Sequence, residues 1–205
     1  MNIMMDAKDL YIGPYHPVQP RMKRDFSGYA KHYTRTQRPP KYYFIDFGLS
    51  RKYAVGEENP LEYPIFGGDK SVPEFQNNVD VPLNPFPTDV YYLGNVIREQ
   101  FLEVSAHLRS SGLLLITIIK TKLGFEFLKP LVDDMVQDDP RKRPTMDVVV
   151  ERFETIRQLS TWKLRSRVID KEEGSFENIY RGAAHWSRRI GFIVKRVSAV
   201  PRPRE

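Results

Sequence analysis

Tyr42-Tyr43-Phe44-Ile45-Asp46-Phe47-Gly48 is the stretch whose reading decides the fold. Four apolar or aromatic residues predict a buried strand, and they run directly into an Asp, a Phe and a Gly, so a carboxylate is held where the chain turns. A fixed oxygen donor of that kind suits a hard metal ion. The simpler reading is a strand-end turn carboxylate. Alone the tripeptide decides little, because chance places a given tripeptide in roughly a few per cent of chains this long.

Upstream, residues 2 to 12 alternate apolar and polar groups and predict a short strand before a turn. Residues 13 to 40 are rich in Pro, Lys, Arg and Tyr and lack periodicity, which predicts a long, partly irregular surface excursion returning as the strand from Tyr42 to Ile45. Downstream, Pro60, Pro64, Gly67, Gly68 and Pro73 mark a loop from 49 to 73, and loops beyond about 12 to 15 residues are commonly functional or disordered. Three helices follow. The first has Thr88 as expected N-cap and Asp89 in its first turn, with Tyr92, Leu93, Val96, Ile97 and Phe101 as its apolar stripe. The second runs from about Glu126 to Val136, where Pro130 is awkward unless it lies in the first turn. The third opens at Thr145 and repeats Met146, Val149, Val150, Phe153, Ile156 and Leu159 at helical spacing. Between the first two, the run from Leu113 to Ile119 is either a buried strand or an aggregation-prone exposure. Phe176, Ile179, Tyr180, Ala183 and Trp186 predict one more amphipathic helix, and residues 195 to 205 a disordered basic tail.

Composition narrows the function classes. Of 205 residues, 40% are hydrophobic and 28% charged, ordinary for a chain that buries a core. The chain has no cysteine, which excludes disulfides, thiolate zinc sites and cysteine nucleophiles. There is no signal-peptide pattern and no apolar run near the roughly 20 residues that span a bilayer, so the expectation is intracellular, cytoplasmic or nuclear, away from membranes. The net charge of +6 is uneven. Residues 21 to 52 hold nine Lys or Arg against two acids, and residues 181 to 205 hold seven against one. Solvated loops rank first for such dispersed charge and nucleic acid behind them, since no RNA motif or zinc-finger spacing accompanies it. His16, His32, His107 and His185 are scattered, so no metal cluster or triad is expected.

Further motifs stand after Asp-Phe-Gly: Ser71-Val72-Pro73-Glu74, then Thr88-Asp89-Val90-Tyr91-Tyr92-Leu93-Gly94, then Asp138-Asp139-Pro140-Arg141-Lys142-Arg143-Pro144-Thr145. In this order they resemble the C-lobe signatures of the protein kinase family: the magnesium Asp, the Ala-Pro-Glu closing the activation segment, the Asp-Val-Trp-x-Leu-Gly helix, and the Asp-Pro-x-x-Arg-Pro-Thr turn. The wording is similar to kinase-like domains common in fungi, and the likeness covers residues 2 to about 160. Val72 replaces the usual Ala and Tyr91 the usual Trp.

The resemblance implies a mainly α fold, a protein-kinase-like C-lobe fragment whose small β-hairpin carries Asp-Phe-Gly, with the N-lobe absent from these residues. It divides the chain into a partial kinase domain (1–160), a helical extension (161–194) and the basic tail (195–205), with residues 110–122 standing as an insert. By the same resemblance Asp46 and Asn2, the latter matching the last residue of the catalytic loop, are the metal ligands. Asn2, Asp46, Phe47 and Gly48 then form the binding site for ATP and Mg²⁺, with Phe47 packed inward and Gly48 permitting the turn. For Asn2 the plain alternative is an unordered residue near a terminus. Glu74 and Arg143 correspond to a buried structural ion pair. Asp89 corresponds to a carboxylate bracing the catalytic loop, with stabilisation of the helix N-terminus as the alternative.

The implied activity is Mg-ATP-dependent phosphotransfer to protein Ser or Thr. The Gly-rich loop, the strand Lys and the catalytic base are not in this sequence, and the base would lie five residues before Asn2. The family's Thr before Ala-Pro-Glu is not evident in Gly67-Gly68-Asp69-Lys70. This chain by itself is therefore expected to be inactive, and the second function class is a non-catalytic kinase-like module binding a protein partner through apolar faces left exposed. Ser50, Tyr53, Tyr63 and Ser71 are candidate phosphorylation sites.

Overall fold

A computed structural model describes residues 2–57, 59–65, 69–77, 81–109, 115–159, 161–170 and 175–200. Residues 201–205 of the tail expected at 195–205, Gly67 and Gly68 of the long loop, and Leu113 and Leu114 of the apolar run lie outside the described residues. Helices predominate over strands. The chain divides into two compact units: residues 1–48 with 186–205, and residues 49–185.

In the first unit, β1 (Ile3–Met5) and β2 (Tyr42–Phe44) form an antiparallel ladder in which Ile3 faces Phe44, Met4 faces Tyr43 and Met5 faces Tyr42. The Ile45 amide to the Asn2 carbonyl (3.0 Å) and the Asp6 amide to the Lys41 carbonyl (2.9 Å) extend it at both ends. The expectation that Tyr42 to Ile45 are buried is not met: Tyr42, Tyr43 and Phe44 are each at least half exposed. The apolar pattern specifies a strand, but burial needs a second layer over the sheet, and only Leu10 and Ala30 are buried apolar residues between 2 and 48. The excursion from 13 to 40 is more ordered than its composition predicts. It folds back on itself through bridges pairing Tyr11 with His32, Tyr15 with Lys23 and Met22 with Tyr29.

The second unit holds the larger core. A loop running from residue 49 is fastened by an antiparallel bridge of Glu62 to Leu83 and by Tyr53 set edge-on to Phe86 at 5.5 Å. It leads to α1 (Pro73–Asn77) and α2 (Pro85–Ile97). Asn84, not Thr88, caps α2: its side chain accepts from the Phe86 amide, and Pro85 occupies the first turn, where a missing N–H costs nothing. Thr88 is therefore released for another contact, described below.

After α2 a π-helical turn (Arg98–Leu102) leads into β3 (Glu103–Arg109), which pairs antiparallel with β4 (Leu115–Leu123). The described part of the apolar run, Leu115 to Ile119, lies in β4. Next come a 3-10 turn at Glu126–Leu128, α3 (Lys129–Met135) with Pro130 in its first turn, and α4 (Met146–Arg157), flanked by Thr145. Then follow α5 (Thr161–Leu164), β5 (Ile169–Asp170), which completes the sheet order β3-β4-β5, and α6 (Ser175–Val194), longer than its apolar pattern predicts. Residues 175–185 of α6 belong to this unit and 186–194 to the first.

Val90, Leu131, Met135 and Val149 form the core of this unit, with Leu93 and Ile156 packed against it. Of the predicted α4 stripe only Val149 is buried, while Met146, Val150 and Phe153 stay exposed. Gly94 sets the approach of α2 to α3: a Cβ there would lie 2.7 Å from Met135 Cβ and 2.9 Å from Val136 Cγ1. Both neighbours are held by a helix that cannot yield locally. Gly94→Ala is therefore expected to destabilise the unit by about 1 to 3 kcal/mol despite the better helix propensity of Ala. A lowered thermal midpoint by circular dichroism checks this; an unchanged or raised midpoint would show that the helices separate freely.

Candidate functional site

The ladder geometry decides where Asn2 and Asp46 meet. Ile3 faces Phe44, so Asn2 stands opposite Ile45 at the open end of the hairpin, and Asp46 follows one residue later. Asp46 has φ +61°, the left-handed region that non-glycine residues rarely occupy and that Asp tolerates better than most. This bend ends the strand, starts the 3-10 turn Phe47–Leu49, and leaves the carboxylate beside Asn2, whose Nδ2 donates to Oδ2 at 3.4 Å. Two residues 44 positions apart are thus brought together, both exposed.

Two details of the expected site are corrected. Gly48 does not carry the turn: the positive φ belongs to Asp46, and a Cβ on Gly48 would make an ordinary 3.6 Å contact with Asp46 Oδ1. Phe47 does not pack inward, being 66% exposed, because the two-stranded ladder has no buried face to receive it.

The residue types suit a hard cation that retains other ligands, one carboxylate and one side-chain amide open to solvent, although the amide here turns Nδ2 and not its oxygen toward Asp46. Among the described residues no group of three or more His, Cys, Asp or Glu could hold an ion without outside ligands. That combination fits Mg²⁺, which is usually bound through one or two carboxylates together with water and substrate phosphates.

Glu74 and Arg143, 69 positions apart, form a bidentate pair with both bonds at 2.7 Å. Their side chains are 7% and 0% exposed. Arg143 also donates to the carbonyls of Gln137 (2.7 Å) and Pro87 (3.1 Å), and its guanidinium lies over the Tyr91 ring. The second oxygen demand of Glu74 is met by Thr88, whose hydroxyl donates to Oε1 at 3.0 Å. Burial pushes the Glu74 carboxyl up, but the hydrogen bonds and charge of Arg143 outweigh it and hold the group below its ordinary value. Asp89, by contrast, is exposed and, because α2 starts at Pro85, stands beyond the first turn where the sequence reading placed it, too far along to stabilise the helix N-terminus. Desolvation pushes its carboxyl upward, and its exposure makes that of small energetic consequence.

No family model, curated protein or solved structure matches this chain. What the site can do rests on its own geometry.

A polar network that the motifs do not mark joins the loop to α2. Asn95, almost fully buried, donates to the Asp69 carboxylate, to Ser71 Oγ (3.2 Å) and to Glu99 (3.2 Å), and Arg98 Nε donates to the Asn95 side-chain oxygen at 3.0 Å. The Tyr91 hydroxyl donates to the Ser71 carbonyl at 3.0 Å. Burial raises the Asp69 carboxyl, and the bonds from Ser71 and Asn95 more than reverse that. Tyr92, half-buried near Asp69, Asp89 and Glu74, has its phenol pushed up to about 12 by desolvation and those charges. The signal for this network is present in the spacing: Tyr91, Asn95 and Arg98 fall at i, i+4 and i+7, one polar line on an otherwise apolar helix.

Proposed function

We propose that this chain carries the metal-binding side of a protein-kinase-like phosphotransferase, acting on Ser or Thr of protein substrates with Mg-ATP. The observation that supports this most is the meeting of Asn2 with Asp46 at the open end of the β1–β2 hairpin. Asp46 and Asn2 would hold the ion, whose chemistry is to neutralise charge on the transferring phosphoryl group. Phe47 and Gly48 border that site, and the Glu74–Arg143 pair fastens the start of α1 to the turn that precedes α4.

Mn²⁺ stands in for Mg²⁺ in the test, because it broadens the amide resonances of residues close to it. Addition of Mn²⁺ with ATP is expected to broaden Asn2, Asp46 and Phe47 selectively, and Asp46→Asn to weaken the effect by roughly tenfold or more, about 1.4 kcal/mol. Broadening confined to the acidic residues between 133 and 139 would remove the metal assignment.

The exposed apolar residues support a second reading, a non-catalytic kinase-like module that binds protein. Phe44 and Phe47 are both about two-thirds exposed on the hairpin, as are Tyr42 and Tyr43 at about half. Under this reading the hairpin engages a protein partner and Asp46→Asn leaves that association unchanged.

A further inference from the structure

The two basic stretches of the sequence lie at opposite ends of the chain, and the fold assigns most of both to one compact unit. That unit holds 14 Lys or Arg against five Asp or Glu, a net +9, whereas residues 49–185 hold 18 against 21, a net −3. Among the described residues, the ion pairs do not engage Lys8, Arg24, Lys31 or Lys41.

An aromatic cleft lies within this basic unit. A space of about 540 Å³ is lined by Lys8, Tyr11, Gly13, Pro14, Tyr15 and Arg24 among others, a volume in the range of ligand sites. The Tyr11 and Tyr15 rings stack at 3.9 Å between centroids and form an aromatic wall, with the Lys8 and Arg24 side chains at its border. Phe26 and Tyr29, farther along the same excursion, are 52% and 79% exposed. Unpaired cations alone read as a solvated surface. Tyr11 and Tyr15 are half-buried against each other, each with one face left for a ligand, and cations interleaved with such faces are the chemistry that tracks a phosphate backbone while stacking unpaired bases.

We propose that the segment from residue 8 to 40, centred on the Lys8–Tyr11–Tyr15–Arg24 cleft, binds single-stranded nucleic acid. The cations neutralise phosphates and the tyrosines stack with bases, so binding is sequence-tolerant and falls with salt. This surface is separate from the hairpin end that carries Asn2 and Asp46 and does not depend on phosphotransfer.

The test is fluorescence anisotropy of the intact chain with a labelled oligothymidylate of roughly 20 nucleotides. Binding is expected at about 50 mM salt and to weaken roughly tenfold to a hundredfold by about 200 mM. Lys8→Glu with Arg24→Glu should abolish it, whereas Lys52→Glu with Lys142→Glu, the same charge change in the other unit, should weaken it less than roughly threefold. Tyr15→Ala should cost roughly fivefold or more and Tyr15→Phe should retain affinity, which keeps the stacking claim testable should the Ala variant fold poorly. The proposal is overturned by absence of binding at low salt or by equal loss in the two charge-reversed pairs. It is equally overturned if anionic phospholipid vesicles bind as tightly with Tyr15→Ala without effect.

Discussion

Arg143→Met is expected to destabilise the second unit by about 3 to 5 kcal/mol, because it leaves the Glu74 carboxylate buried without its partner. The guanidinium has no exposed surface and binds Glu74 twice, as well as the Gln137 and Pro87 carbonyls, so its removal also strands backbone acceptors from two other segments. Urea denaturation followed by circular dichroism measures this, and a loss below about 1 kcal/mol would show the pair to be no stronger than an exposed one. Glu74→Gln combined with Arg143→Met should be more stable than Arg143→Met alone, since no buried charge then remains.

The pH dependence has a definite sign. The folded Glu74 carboxyl lies below its ordinary value of 4.5, so its stabilisation is present above that value and is lost as pH falls through the depressed folded value. The native chain should therefore lose stability on acidification below about pH 4.5. In Arg143→Met the upward push of burial, the largest influence on Glu74, is opposed only by the hydrogen bonds from Thr88 and the backbone, so acidification should stabilise that variant relative to neutral pH.

Met135→Ala is the second large effect, expected at about 2 to 5 kcal/mol. The side chain is fully buried in a cluster with Val90, Leu131 and Val149, and α3 is held against α2 at the Gly94 contact. Met135 Cβ remains in the Ala variant, so the helices cannot close further and the cavity persists. Met135→Leu conserves volume and should cost less than about 1.5 kcal/mol in the same denaturation experiment. Equal losses for the two variants would show that the contact depends on the flexible thioether and not on filled volume.

Local pattern was a good guide to elements and a poor guide to burial. The helices α3 and α4 and the strands at Tyr42–Phe44 follow from periodicity and from Pro130, whose position in a first turn is the place a helix accepts it. The cap of α2 was misplaced because Thr88 and Asn84 are both good caps by type, and only the onset of the helix at Pro85 distinguishes them. The same displacement explains the role of Thr88, which binds Glu74 from inside the helix.

Burial failed where it depends on a distant layer. Tyr42, Phe44 and Phe47 have the composition of a core and stand exposed, since two paired strands without a covering element bury nothing. The polar line of Tyr91, Asn95 and Arg98 was readable as one helix face, but its partners Asp69 and Ser71 come from a loop whose path the helix does not encode.

By itself the sequence marked candidates: Asp46 before Phe-Gly, Glu74 and Arg143 in motifs 69 positions apart, and, through the family resemblance alone, Asn2. Local motifs of that kind are displayed by a chain without folding. Tertiary structure alone decided that Asn2 and Asp46 meet through the register of a two-stranded ladder, that Arg143 is fully enclosed, and that the basic ends of the chain gather in one unit. Each of these depends on which distant segments exclude water from one another, and that is a property of the packed chain and not of any local pattern.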